Sequence, residues 1–353
     1  MAKYRINVAL WQVPTMVVNN HSKPQLAEYE RALTNTVATR SLDERMALLR
    51  KRVGKADAFF RAHPRPPDRR HVTLFAAPEY LFARSASEHF VSEKDKDHLL
   101  KELVALSEDF PDVLLFPGTI AWKKPAIKDL SEPPSLIDRG EKARLQRARS
   151  GEGAYLRSEI KAFNEAQKSG EQYYLARNTC YVMHRGKLLV KYHKRDSGGE
   201  TDPVSDGKDV FFVHGALDSV FELDGLSFGL KICAEVRTDL SRPVDVQVVI
   251  SAAHPVTDTS MQLLPGAYCC HADAIRPPTV WRNNEKGLPE KVDANVQRRG
   301  GGPITKHRAG VRITHALNYK ANAALLDSDS QAYAEKVTEM RGRARYYRLD
   351  YDK

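Results

Sequence analysis

The chain has 353 residues, 42% of them hydrophobic, and a formal net charge of +10. This composition excludes a disordered or fibrous protein, and the length predicts one large core in a single domain over residues 1–353. No apolar run reaches the roughly 18 residues that cross a bilayer, and the first residues show no signal-peptide pattern. We therefore expect a cytoplasmic protein with no membrane partner.

The predicted elements of the first third alternate between strand and helix. Ser41 begins a capping-box pattern, and apolar residues then recur at helical spacing as far as His63. The predicted elements are a strand at 5–13, a helix at 41–63, a strand at 71–77, a helix at 93–108 and a strand at 112–116. This order predicts an α/β fold.

The alternation breaks at residues 123–172, which we interpret as an inserted helical segment that either packs on the fold or covers a pocket. Short strands then resume, with an Asp224-Gly225 hairpin signal between two of them. These strands are predicted at 178–183, 187–192, 210–213, 219–223, 226–230 and 246–253. Residues 275–311, rich in Pro, Gly and Arg, predict a long loop, and residues 344–353 predict a closing strand.

The basic charge does not predict a specific nucleic-acid partner. Much of the excess lies in the stretches 61–70, 139–149 and 298–299, which are typical of solvated loops and helices. No aromatic-interleaved basic motif and no zinc-ligand spacing accompany it. A duplex-binding protein would instead show tight binding that falls steeply with salt.

Three predicted strands end in polar residues that an ordinary core would not use. Glu79 ends "VTLFAAPE", Lys194 follows "LLVKYH", and Cys233 follows "LSFGLKI". Catalytic groups are common at strand ends, because the sheet fixes the backbone while the side chains project into a cleft. Taken singly, Glu79 is more typical of a helix cap, Lys194 of solvated surface and Cys233 of a small buried residue.

Together these stretches resemble the nitrilase superfamily of carbon–nitrogen hydrolases. The similarity lies in "FAAPEY", in "RNTCYVMHRGKLLVKYHK" and in "GLKICAEVR" followed by "DVQVVISAAHP". Their order and their strand contexts agree over roughly residues 4 to 255. The resemblance implies a four-layer α-β-β-α sandwich, and it implies pairing through a helical face into a homodimer or a higher homo-oligomer.

The resemblance also implies a reaction. Cys233 would be the nucleophile, Glu79 the general base, and Lys194 with the backbone N–H of Ala234 would stabilise the oxyanion. We expect a thiol hydrolase that cleaves a non-peptide C–N bond in a small amide, with no cofactor and no metal. The open alternatives are nitrile hydrolysis, acyl transfer, a glutamine-type amidase, and a catalytically silent binding protein of the same fold.

Two departures from the family leave the substrate open. Ala234-Glu235 follows the nucleophile where many members have tyrosine-aspartate or tryptophan-glutamate, and the absence of the second pattern favours an amide over a nitrile. Thr119–Trp122 stands where many members carry a second glutamate. Glu159, Glu165 and Glu171 of the insertion are the available substitutes, although glutamates on such a helix are usually solvated.

The candidate pocket residues are Tyr80, Trp122 and His254, because each follows or ends a predicted strand. Each is either a substrate contact or an ordinary structural residue, and for Trp122 the core is the favoured place. Cys269-Cys270-His271 superficially suggests a metal site, but adjacent cysteines cannot readily complete a tetrahedral site alone. We expect buried thiols there.

Overall fold

The fold was analysed in a computed structural model of the chain. It describes residues 2–13, 15, 40–63, 65–83, 90–125, 174–195, 210–212, 215, 218–252, 254–274, 276–284, 286–292 and 344–353. Its helices and strands, in chain order, are β1 (Lys3–Trp11), α1 (Leu42–Arg61), β2 (Arg70–Ala76), β3 (Val91–Ser92), α2 (Glu93–Asp109), β4 (Val113–Phe116), β5 (Ile120–Pro125), β6 (Tyr174–His184), β7 (Lys187–His193), β8 (Val210–Phe212), β9 (Val220–Leu223), β10 (Leu226–Ile232), β11 (Val244–Ser251), β12 (Leu263–Asp273), β13 (Thr279–Asn283), β14 (Pro289–Val292) and β15 (Ala344–Asp352).

The strands form two sheets. The first has nine strands, in the order β15-β1-β2-β4-β6-β5-β3, with β7 and β8 also pairing with β6. The second has six, in the order β14-β13-β12-β11-β10-β9. Strands β1, β2 and β4 run parallel, as do β10, β11 and β12, so the carboxyl ends within each parallel set lie at one edge of their sheet.

Strand β1 shows how one strand contributes to two cores. Ile6, Val8 and Leu10 pack between the sheets, whereas Ala9 and Trp11 face the helices, because successive side chains point to opposite faces. The core between the sheets combines residues of β1, β2 and β4 with residues of β10, β11 and β12.

The two helices cover the outer face of the first sheet. Helix α1 begins at a complete capping box, in which Ser41 Oγ accepts from the Glu44 N–H over 3.2 Å and Glu44 accepts from the Ser41 N–H over 2.8 Å. Its buried face includes Leu49 and Val53, and these pack with Leu99 of α2 against the sheet. The described residues thus form a helix layer and two sheets, which confirms the predicted α/β sandwich.

Two parts of the sequence prediction need correction. The long loop predicted over 275–311 is wrong for residues 279–292, where β13 and β14 form a hairpin that pairs with β12. The insertion predicted from residue 123 begins later, because Lys123–Pro125 continue β5. Residues 126–172 lie outside the described part, as do residues 293–311. The single domain over 1–353 stays a prediction.

The strand residues of these corrected segments pair in spite of their composition. Proline ends β5 and begins β14, and both are positions at which a missing N–H does not interrupt a ladder.

None of the helices among the described residues combines the length and the apolar character that crossing a membrane requires.

Candidate active site

Glu79 lies in the loop that leaves β2 at the carboxyl edge of the first sheet. The loop is fixed on several sides: the Ala77 N–H donates to Phe116 O over 2.9 Å, and Thr15 Oγ1 donates to Glu79 O over 2.5 Å. The Glu79 N–H reaches Ser251 O, at the end of β11, over 3.4 Å. The loop therefore joins the two sheets, and the Glu79 side chain is fully buried at 0% exposure.

The Glu79 carboxylate contacts a buried lysine. Lys194 Nζ donates to Glu79 Oε1 over 2.9 Å, and Lys194 is only 1% exposed. Asn178 Nδ2 donates to the same oxygen over 2.9 Å. Charged side chains are rarely buried, and burying two of them costs desolvation free energy even when they are paired. Ordinary packing therefore does not explain this pair.

The backbone fixes Lys194 as firmly as its side-chain contact does. It follows β7, and its N–H donates to Asn178 O over 2.8 Å while its carbonyl accepts from the Gly215 N–H over 2.9 Å. Asn178, in the middle of β6, thus supports both members of the charged pair. Asn178 belongs to the stretch "RNTCYVMHRGKLLVKYHK", whose pattern predicts no role for it.

Cys233 stands directly after β10 at the first residue of a 3-10 helix, Cys233–Arg237. Its φ of 51° is in the left-handed region, which is uncommon for a residue with a side chain and often marks a functional turn. The element that follows β10 is this short 3-10 helix. Ala234 is the next residue and is half-buried.

The strand register places Cys233 near Glu79. Ile232 pairs with Ile250 in the parallel β10–β11 ladder, so Cys233 is level with Ser251. Ser251 is the residue whose carbonyl accepts from the Glu79 N–H. The ends of β2, β7 and β10 therefore lie at the same edge of the sandwich, and a shared catalytic role for Glu79, Lys194 and Cys233 stays a prediction.

Cys233 differs from the other three cysteines, all of which are also among the described residues. Cys180, Cys269 and Cys270 are buried, and Cys233 is half-buried. Burial raises the pKa of the Cys269 thiol to about 12 and raises the pKa values of Cys180 and Cys270 well above their usual range. Cys233 is thus the thiol best placed to react with a molecule from solution.

Glu235 is a site residue whose role the sequence does not predict. It is 0% exposed, and its carboxylate accepts from the Ile232 N–H over 2.9 Å, from Tyr192 Oη over 3.1 Å and from the Arg195 N–H. Burial raises its pKa, and the two backbone donors and the charges of Lys194 and Arg195 oppose that rise.

The three predicted pocket residues have different surroundings. Tyr80 is buried, has a φ of 59°, and its ring centroid lies 5.9 Å from Lys194 Nζ. Trp122 lies in the helix-side core, the place favoured for it, with Nε1 donating to Thr179 Oγ1 over 2.9 Å, and its contact with substrate stays a prediction. In β5 its neighbour Ala121 takes the opposite face, because side chains alternate along a strand.

His254 is half-buried beyond the end of β11, with Nδ1 3.0 Å from Pro255 O. Its position is at the Glu79 edge, and its contact with substrate stays a prediction. Where many family members carry a second glutamate, the buried Thr119 instead supports the loop after Glu79, because its Oγ1 accepts from the Tyr80 N–H over 2.9 Å. Glu159, Glu165 and Glu171 lie outside the described residues.

The adjacent cysteines occupy opposite faces of β12. Cys270 packs between the two sheets, and Cys269 packs with Val249 on the outer face of the second sheet. Within the described ranges, no group of three or more His, Cys, Asp and Glu side chains is placed to hold a metal ion.

Comparison with solved structures finds similar folds at low identity. Nit3 of Saccharomyces cerevisiae, a member of branch 10 of the nitrilase superfamily, has 14% identity and a TM-score of 0.37, covering 82% of this chain and 86% of that one. An amidase from Nesterenkonia sp. has 11% identity and a TM-score of 0.38, with coverages of 81% and 84%.

The fold is similar to that of nitrilase-superfamily proteins. A third match, a glutamine-dependent NAD+ synthetase from Acinetobacter baumannii, has 13% identity and a TM-score of 0.41, and it covers 82% of this chain and 43% of that one. No family model matches the sequence, and no curated protein matches it. The similarity concerns the fold alone and carries no information about activity.

Proposed function

We propose that this protein is a thiol hydrolase that cleaves a non-peptide C–N bond in a small amide through an acyl-enzyme on Cys233. The observation that carries the proposal is the buried 2.9 Å contact of Lys194 Nζ with Glu79 Oε1, at the edge of the sandwich where the half-buried Cys233 ends its strand. A base, a fixed positive charge and a thiol are the three groups that acyl transfer to sulfur requires.

The proposed first half-reaction forms the acyl-enzyme. Glu79 takes the proton of the Cys233 thiol while Sγ bonds to the substrate carbonyl carbon, and the carbonyl oxygen becomes an oxyanion. Lys194 Nζ and the Ala234 N–H stabilise that oxyanion. The C–N bond then breaks, and the protonated Glu79 returns its proton to the departing ammonia or amine.

The second half-reaction releases the acid. Glu79 removes a proton from a water molecule whose oxygen attacks the thioester carbon, and a second oxyanion forms beside Lys194 and Ala234. The C–S bond breaks, and Cys233 recovers its proton from Glu79. The burial of the Glu79–Lys194 pair supports this scheme, because a low-dielectric surrounding strengthens the action of a fixed charge on an oxyanion.

The decisive experiment measures ammonia release from a panel of small amides, carbamoyl compounds and nitriles. We expect turnover of an amide by the natural sequence, and loss of turnover in Cys233→Ala, Glu79→Gln and Lys194→Ala. Matched controls are Glu222→Gln and Lys191→Ala, since these charged side chains are exposed. Full activity in Cys233→Ala would refute the proposal.

Thiol labelling gives an independent readout. Iodoacetamide should modify Cys233 quickly at neutral pH, and the buried Cys180, Cys269 and Cys270 should stay unmodified in the folded protein. Glu79→Gln should slow the labelling. Slow labelling that does not change in this variant, with no turnover on any compound, would favour a catalytically silent binding protein.

Two further outcomes identify the alternatives within hydrolase chemistry. Ammonia and acid released from nitriles but not from amides would indicate a nitrilase. A hydroxamate product formed when hydroxylamine is added to the amide reaction would indicate acyl transfer to an added nucleophile. All of these reactions use a small-molecule substrate and the same acyl-enzyme.

A further inference from the structure

Glu235 is a buried charged group to which the proposed reaction gives no chemical step. Its side chain accepts hydrogen bonds from two backbone N–H groups and one phenol, those of Ile232, Arg195 and Tyr192. An ionised carboxylate has only acceptor sites, and every one of these partners is a donor. The surroundings of Glu235 therefore match a carboxylate, and they match a carboxamide poorly.

The partners of Glu235 come from the two segments that carry the proposed oxyanion and nucleophile groups. Ile232 directly precedes Cys233 at the end of β10, in the second sheet. Arg195 directly follows Lys194, and Tyr192 lies in β7, which pairs into the first sheet. One carboxylate thus joins the lysine-bearing strand end of one sheet to the cysteine-bearing strand end of the other.

Arg195 adds a second connection between the same two segments. Its guanidinium Nη2 donates to Thr238 Oγ1 and to Asp239 O, each over 3.2 Å, just beyond the 3-10 helix that Cys233 begins. The Thr238 hydroxyl in turn donates to Glu235 O over 2.8 Å. The segment after Lys194 is therefore held against both the start and the end of the turn that carries Cys233.

We propose that Glu235 is a positioning residue that sets the distance between the Cys233 thiol and the Lys194 ammonium group. This inference rests on the proposed function, since it assigns Glu235 a part in the same reaction. Hydrogen bonds to a charged acceptor are about twice as strong as neutral ones, so the carboxylate is well suited to hold two sheet edges in register. A displacement of about 1 Å at reacting groups can cost about 100-fold in rate.

The test compares Glu235→Gln with Glu222→Gln. Both substitutions are isosteric, but Glu222 is exposed on the neighbouring strand and pairs with the exposed Arg242. Glu235→Gln turns an N–H₂ group toward the backbone N–H of either Ile232 or Arg195, which breaks one hydrogen bond of this network. We expect kcat to fall about 100-fold with KM changed less than about twofold, whereas Glu222→Gln keeps both constants.

Tyr192→Phe provides a milder second variant, because it deletes one hydroxyl and keeps the ring. We expect about a tenfold loss of kcat, with the Tyr192→Phe/Glu235→Gln double variant no slower than Glu235→Gln alone, since both changes break one network. If Glu235→Gln does not fold, a folded Tyr192→Phe protein with unchanged kcat overturns the inference. A Glu235→Gln protein with the constants of Glu222→Gln overturns it as well.

The outcomes separate this inference from the proposed function. Turnover that survives Cys233→Ala refutes the proposed function, whatever the Glu235 variants do. If no substrate is found, the alkylation rate of Cys233 still reports on the distance between Lys194 and Cys233, because a nearby positive charge lowers the thiol pKa. Tyr192→Phe changes no charge, so a wider separation of Lys194 from Cys233 in this variant should slow alkylation about tenfold, which corresponds to about one pKa unit. An unchanged alkylation rate would overturn the inference in that case.

Discussion

Removal of the Lys194 charge should destabilise the fold far more than removal of a surface lysine. The Glu79 carboxylate is fully buried, and Lys194→Met replaces its cationic neighbour by an apolar chain of similar length. At 2.9 Å and an effective dielectric constant of about 20, the direct attraction is about 6 kcal/mol. Breaking a buried pair by removing one partner typically costs about 3–5 kcal/mol, because a buried charge loses its compensation.

Lys3→Met is the matched control. Lys3 and Asp68 lie 3.9 Å apart with side-chain exposures of 52% and 59%. At that distance in water the attraction is about 1 kcal/mol, and the measured worth of such pairs is about 0–1 kcal/mol. The same substitution therefore isolates the effect of burial.

Urea unfolding followed by circular dichroism measures the difference. With an m-value of about 3 kcal/mol/M, Lys194→Met should lower the urea midpoint by about 1 to 2 M, and Lys3→Met should leave it nearly unchanged. Adding Glu79→Gln to Lys194→Met should recover most of the loss, because the double variant buries no charge. If Lys194→Met costs no more than Lys3→Met, the reasoning from the buried pair is refuted.

Two further predictions concern neighbouring residues. Burial lowers the pKa of His193 to about 3, so the unfolded chain binds more protons between about pH 6.5 and 3, and stability falls as the pH is lowered through that range. Unfolding should cost about 2 kcal/mol less at pH 5 than at pH 7.5. His193→Asn should reduce this dependence of stability on pH, whereas His98→Asn, at an exposed histidine, should keep it. The same pH dependence in the natural sequence and in both variants would contradict the burial of His193. Gly118→Ala should cost about 2–5 kcal/mol, because the new Cβ would lie 2.2 Å from Pro78 O at a φ of 80°. Gly287→Ala has a φ of 74° with open space around it and should cost only about 1–2 kcal/mol in thermal unfolding; equal losses at the two glycines would rule out the clash.

The sequence predicts the strand ends of the site because each one combines a strand-like apolar run with a chemically reactive residue directly after it. Glu79, Lys194 and Cys233 each follow an apolar run, so the sequence pattern locates them at strand ends. Strand pairing in parallel sheets then brings such ends together. The partners of the pair are harder to predict, because Asn178 lies in mid-strand and nothing in its local pattern distinguishes it from an outward-facing residue.

Glu235 carries a weak sequence signal. It sits two residues beyond Cys233, but a glutamate in a short turn after a strand is usually solvated, and its partners at Tyr192 and Arg195 lie about 40 residues earlier. Only the packing of the two sheets brings them into contact. The hairpin β13–β14 is missed for another reason, because it lies within the stretch 275–311, which is rich in Pro, Gly and Arg, although the positions of Pro289 and Gly287 suit a strand start and a tight turn.

The pairing of β1 with β15 has a consequence for how the chain folds. Lys3 pairs with Asp352, and the register continues to Trp11 and Ala344. During synthesis, one edge of β1 can pair with β2 early, but its other edge stays unpaired until β15 has been synthesised. Contacts of such long sequence separation slow folding, and an unfilled, apolar strand edge invites pairing with other chains. We expect nascent chains halted before residue 344 to aggregate more readily than chains that include β15.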